Sequence, residues 1–195
     1  MAGLTNPNAS DPDRFRDLAS RAGAQNQIAM IVAPYYSDVS EVLEKDARAV
    51  VEAAGFEVIR AEVPGALELP QALQIVALGD NSDSVAGAIM IGCVIRGETS
   101  HYDIVCETAN RAAMNIAVDL QMPLGNALLT VDTHAQAVER AGGGSGGKGG
   151  DAARAVLSLP NCSFSSISDS TARAASPPLP PDPPPARSTA CAWVS

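Results

Sequence analysis

Apolar positions fall in two rhythms along this chain: short solid runs, and longer stretches with helical spacing. Residues 27–33 (QIAMIVA) form a short apolar run closed by Pro34, which predicts a buried strand. Ser37 or Asp38 then stands where a helix cap belongs. Val39, Leu43, Ala47, Val50, Val51 and Ala54 recur at helical spacing up to Gly55, predicting a helix over 38–54. The cycle repeats with a strand over 56–63, closed by Pro64-Gly65, and a helix over 66–78 that tolerates Pro70 near its first turn. A third strand follows over 85–91 (VAGAIMI), then a Gly-containing loop at 92–101 and a helix over 101–120. A fourth strand at 124–131 leads into short helices at 135–141 and 151–159.

Strands alternating with helices at this spacing imply right-handed βαβ units and a mainly parallel sheet covered on both faces. Ligands of such sheets bind beyond the carboxyl ends of the strands. That edge should therefore gather PYYS (34–37), PGALE (64–68), the loop at 92–101 and TVDT (130–133). The flanks differ. Residues 1–26 are rich in Asn, Asp, Ser and Ala and read as an extension, with a short helix over 15–22. Residues 160–195 carry eight of the 14 prolines, including PPLPPDPPP at 177–185, and are expected to be disordered because they bury too little apolar surface to fold.

Composition narrows the picture. Of 195 residues only 4% are aromatic although 46% are hydrophobic, so the core must be built from Ala, Val, Ile and Leu. A net charge of -9 argues against a nucleic-acid or anionic-membrane partner. No apolar run is long enough to cross a bilayer, and the polar N-terminus is unlike a signal peptide, so a cytosolic protein is expected. Cys93, Cys106, Cys162 and Cys191 show no C-x-x-C spacing and have two His residues for company, so neither a metal site nor a disulfide framework is expected.

Candidate chemistry concentrates on 92–103, GCVIRGETSHYD. Backbone N–H groups opening a helix point outward with the positive helix end behind them, a ready anion site to which Thr99 and Ser100 add hydroxyls. An ordinary capped helix explains the same spacing. Near that helix end a neutral His101 is favoured, which suits a proton acceptor or shuttle as much as a surface histidine. Arg96, Arg140 and Lys148 are cations near strand ends or the Gly-rich stretch, and arginine's planar fork suits phosphate. Tyr35 and Tyr36 offer rings for stacking on a flat heterocycle or for covering the sheet end. Glu68 can accept from hydroxyl or N–H donors, or simply favour the start of a helix.

Four blocks in order and spacing carry a family resemblance: VPGALELP (63–70), GCVIRGETSHYDIVCETANRA (92–112), LLTVDTHAQAVERAG (128–142) and KGGDAARA (148–155). Over about residues 27–159 the chain resembles the lumazine synthases. The resemblance implies an α/β fold, a flavodoxin-like three-layer αβα sandwich with a four-stranded parallel sheet, and assembly into pentamers or multiples of pentamers with active sites between neighbouring subunits. It also implies condensation of 5-amino-6-(D-ribitylamino)uracil with 3,4-dihydroxy-2-butanone 4-phosphate, using no metal and no organic cofactor.

Carried across by position, Tyr35 matches the ring that stacks on the pyrimidine, and Ala66, Leu67 and Glu68 match the segment holding the ribityl chain. Val94 and Ile95 match the ring-pocket wall, Glu98 and Thr99 the backbone phosphate cradle, and Arg140 the phosphate-binding arginine. His101 matches the proton shuttle. Asn126 matches a position often aromatic in the family, and Lys148 a motif lysine near the site. Two features depart from the pattern: the flexible GGGSGG before Lys148, and Pro160, which is expected to stop the last helix after about two turns. An alternative of another class is a flavin- or lumazine-binding paralogue without turnover. A third treats PPLPPDPPP as a polyproline ligand for SH3- or WW-like partners, with no basic flank to support it.

Overall fold

The computed structural model describes residues 24–142 and 147–159. Along these residues run β1 (Gln27–Val32), α1 (Ser37–Ala53), β2 (Glu57–Glu62), a 3-10 turn (Ala66–Glu68) leading into α2 (Leu69–Leu78), and a second 3-10 turn (Ser82–Ser84). β3 (Val85–Ile95), α3 (His101–Asp119), β4 (Leu124–Val131), α4 (His134–Ala141) and α5 (Lys148–Ser158) follow. The strands lie in the order β2-β1-β3-β4 and every pairing is parallel. From β1 the chain steps outward to β2 and then returns to place β3 on the other side. That reversal is the topological switch point of a doubly wound sheet, where crossovers diverge and leave a crevice.

Period-two alternation along the strands builds two cores. Ile28, Met30 and Val32 of β1, Ile89 and Ile91 of β3, and Ala127, Leu129 and Val131 of β4 face one side, against Val39, Leu43, Ala47 and Val51 of α1, Ala137 and Ala141 of α4, and Ala152, Ala153 and Val156 of α5. Ala29 and Ile31, Ala88 and Met90, and Leu128 face the other, against Leu69 and Leu73 of α2 and Ala109 and Ala113 of α3. Helices on both faces of the parallel sheet make the expected three-layer αβα sandwich of flavodoxin-like topology. Small alanines on the helix faces let the layers approach closely, which answers the shortage of aromatic residues.

Several boundaries differ from those the sequence predicts. β3 does not stop at 91: Gly92, Cys93, Val94 and Ile95 continue to pair with Leu128, Leu129, Thr130 and Val131 of β4. Val94 and Ile95 therefore belong to a strand and not to a loop. α1 starts at Ser37, with Tyr36 at the cap position and no side-chain cap. Neither Ser37 nor Asp38 caps it. The stretch over 66–78 divides into the 3-10 turn and α2, with Pro70 in the first turn of the latter. α5 starts three residues early, at Lys148, because the Asp46 carboxylate of α1 accepts a 2.7 Å hydrogen bond from the Gly150 backbone N–H. The expected helix at 15–22, the Gly-rich residues 143–146, the stop at Pro160 and the disordered tail at 160–195 with its polyproline run lie outside the described residues.

Candidate active site

Three strand ends and one helix start meet at the carboxyl edge of the sheet. β1 delivers Tyr35 and Tyr36, whose rings meet edge-on with centroids 5.1 Å apart. Beyond β2, Pro64 and Gly65 lead into the turn of Ala66, Leu67 and Glu68. β3 contributes Cys93, Val94 and Ile95, and α3 contributes His101 and, one turn later, Val105. These residues line a cleft of about 420 Å³. Its walls are mainly apolar, and His101 and Glu68 bring an imidazole and a carboxylate into them, as suits a site that holds a flat heterocycle and manages a proton.

Of the twelve candidate residues, Tyr35, Ala66, Leu67, Glu68, Val94, Ile95 and His101 share this cleft. Tyr35 is 75% exposed, so its ring is open to a partner on its outer side. Glu98 and Thr99 occupy the exposed turn before α3. Thr99 Oγ1 accepts a long, 3.4 Å bond from the His101 backbone N–H, and Ser100 at the cap position makes no side-chain cap. The Asp103 N–H donates to the Ser100 carbonyl at 3.1 Å, so the first turn is held by local acceptors.

Asn126, Arg140 and Lys148 are not among the cleft-lining residues. Asn126 sits on β4 opposite Met90, five residues before the strand end. Its amide donates to Asn110 Oδ1 at 2.5 Å and its Oδ1 accepts from the Leu128 N–H at 2.9 Å. Arg140 is exposed in the last turn of α4, and its guanidinium makes no hydrogen bond or ion pair with the described residues. Lys148 opens α5 and donates to Asp151 at 2.8 Å. Burial alone would raise the Asp151 carboxyl, but hydrogen bonds from Lys148 and Arg154 outweigh it and hold the group below its ordinary value.

Arg96, a third candidate cation, is fully engaged. Its guanidinium grips Asp103 with two bonds of 3.0 and 3.3 Å, gives Nε to Asp132 at 3.0 Å, and lies 4.1 Å over the Tyr102 ring. Tyr36, offered beside Tyr35 as a ring at the strand end, also lines the cleft, as do Pro64 and Gly65 of the expected edge segment, together with Cys93 and Val105. Helical spacing from His101 is the available signal for Val105, whereas Cys93, among apolar neighbours, reads in the sequence as a packing residue. Burial, with smaller contributions from Asp38 and Cys106, pushes the Cys93 thiol up to about 11, so this wall residue stays protonated. Among the described residues no group of three or more His, Cys, Asp or Glu is placed to hold a metal ion, and no helix is long and apolar enough to cross a membrane.

Residues 25–163 match the profile of the 6,7-dimethyl-8-ribityllumazine synthase family. The chain belongs to that family. Relatives bearing the name 6,7-dimethyl-8-ribityllumazine synthase include proteins of Methylorubrum populi and Methylorubrum extorquens strain PA1. The first is 44% identical over 126 residues, covering 64% of this chain and 73% of that protein. The second is 46% identical over 128 residues, covering 64% of this chain and 72% of its own length. A third, from Methylocella silvestris, is 46% identical over 134 residues, covering 67% and 80%. The family match reaches past both ends of the sandwich described above, and every candidate residue lies within it.

Proposed function

We propose that this chain is a 6,7-dimethyl-8-ribityllumazine synthase of riboflavin biosynthesis, a transferase whose domain spans residues 27–159, flanked by an extension at 1–26 and a tail at 160–195. It condenses 5-amino-6-(D-ribitylamino)uracil with 3,4-dihydroxy-2-butanone 4-phosphate. The observation that carries the reading is the strand-end cleft that brings Tyr35, Glu68, Val94, Ile95 and His101 together in a chain of this family. Tyr35 stacks on the pyrimidine, Val94 and Ile95 form the wall against it, and Ala66, Leu67 and Glu68 hold the ribityl chain. The start of α3, with Glu98 and Thr99, receives the phosphate, and Arg140 supplies its counter-charge.

The chemistry asks for position and proton transfer. The 5-amino group of the uracil adds to the butanone ketone and loses water to give an imine. A proton leaves carbon, phosphate departs as the C–O bond breaks, and the ribitylamino nitrogen closes the ring with loss of a second water. His101, at the cleft edge, accepts and returns the protons. The anion site stabilises the departing phosphate, and the walls hold the reacting atoms in register.

The chain is read as a cytosolic homopentamer, or a multiple of pentamers, with each site completed by a neighbour. Two observations support this. Arg140 and Lys148 do not line the cleft of their own protomer, and α2 and α3 expose large apolar side chains, Ile75, Leu78, Ile104, Met114 and Val118. Light scattering on the purified chain should give a mass at a multiple of five times 20.0 kDa. Mixing the protein with both substrates should produce the absorbance and fluorescence of the lumazine. Binding of the lumazine without its formation would instead identify a binding paralogue and overturn the synthase reading.

A further inference from the structure

Arg96 has no part in the reaction as assigned above, yet it is the most connected side chain at the carboxyl edge. It stands at the first position past β3, where its backbone N–H donates to Val131 O at 2.9 Å. Its side chain then reaches three separate pieces of the site. The two-pronged grip on Asp103 holds the first turn of α3, the Nε bond to Asp132 holds the turn between β4 and α4, and the guanidinium plane covers Tyr102. Tyr102 in turn lies beside Thr130 of β4 and Cys106, one turn along α3. His101 is the neighbour of this clamped pair, and α4 downstream of Asp132 carries Arg140.

The residue types are matched to the task. Only arginine presents donors in one rigid plane that can bridge two carboxylates while its face lies on an aromatic ring; lysine is a compact charge on a flexible stem, without a planar fork or a face to stack. Asp103 also sits in the first turn of α3, where an unpaired carboxylate would compete with a bound phosphate for the positive helix end. Arg96 neutralises it. Exposed ion pairs of this sort add little to global stability, so an arrangement using both forks and the ring face calls for a different explanation.

We propose that Arg96 is a positioning residue for the condensation: it locks the start of α3 against β3 and the β4–α4 turn, and so fixes His101 at the cleft while leaving the helix start available to phosphate. The proposal rests on the synthase reading, since it acts through His101 and the phosphate site. Displacing a catalytic group by about 1 Å can cost up to about a hundredfold in rate. Arg96→Lys is therefore expected to lower kcat about tenfold or more, with the KM for the ribitylaminouracil within about twofold of the parent.

The decisive comparison is made in a His101→Ala background. If Arg96 acts through His101, adding Arg96→Lys costs nothing further there, whereas a general structural role would cost the same factor in both backgrounds. Hydrogen exchange reads the clamp without turnover. The Asp103 and Ile104 amides, which donate to Ser100 O at 3.1 and 3.3 Å, should exchange faster in Arg96→Lys while the core amides of β1 do not. Parental kcat in Arg96→Lys, an equal loss in both backgrounds, or unchanged exchange at Asp103 and Ile104 would each overturn the proposal. A parent chain that forms no lumazine would sink the assigned reaction instead, and the exchange comparison then decides the clamp by itself.

Discussion

Gly149 lies in the first turn of α5, against the backbone of α1. A Cβ built there meets Leu43 O, with Leu43 C at 2.8 Å and Cα at 3.0 Å. Carbon atoms pack best at about 3.5–4.0 Å, so alanine requires the start of α5 to retreat by roughly 1 Å. The opposing atoms are backbone, and no rotamer change can relieve the contact. Two terms of opposite sign decide the outcome. Gly→Ala in a helix favours the folded state by about 1 kcal/mol. Overpacking a fitted contact costs about 1–3 kcal/mol, and the retreat also strains the charge-assisted bond from the Gly150 N–H to Asp46, worth about 1.5–3 kcal/mol.

The clash wins, and Gly149→Ala should destabilise by about 2–4 kcal/mol, lowering Tm by roughly 8–15 °C for a domain of this size. Circular-dichroism melts at one fixed protein concentration measure it, because subunit association makes Tm depend on concentration. The control is Gly97→Ala in the exposed turn before α3, where a Cβ meets nothing within 4 Å; its stability should stay within about 0.5 kcal/mol of the parent. A Gly149→Ala chain as stable as the parent would refute the claim that α5 is seated on α1 by backbone contact.

Other predictions concern the site and its surroundings. His101→Ala should lower kcat about a hundredfold or more with the fold intact, as removal of a proton shuttle does; steady-state lumazine formation checks it. Arg140→Ala should abolish binding of inorganic phosphate and raise the KM for the butanone phosphate, read by phosphate inhibition. For Asp151, whose folded carboxyl sits below its ordinary value, the stabilisation is present above that value and is lost as pH falls through the folded one. Asp151→Asn should thus be the less stable chain at pH 7, with the gap closing below pH 3.8; urea titrations showing a constant gap down to pH 2 would exclude this. The Cys93 thiol, raised to about 11, should be alkylated far more slowly in the folded than in the unfolded chain at pH 8, as peptide mass mapping would show.

The sandwich and much of the cleft were readable in the residues themselves, because local rules govern them. β1, α1 and β4 follow from an apolar run, a helical period and their Gly and Pro punctuation. The strand-end rule together with the family blocks brings Tyr35, Glu68, Ile95 and His101 to one edge. What local pattern could not decide depended on partners distant in sequence. β3 runs on to Ile95 because β4 is there to pair with it, across a glycine that reads locally as a loop. α5 begins at Lys148 because Asp46, 104 residues upstream of the N–H it accepts from, caps a glycine-rich start with no preference for helix of its own. The three candidate cations look alike in sequence. Only the tertiary structure separates them, committing Arg96 to two carboxylates and a ring, tying Lys148 to Asp151, and leaving Arg140 exposed, because charge pairing is settled by which side chains the fold brings within reach.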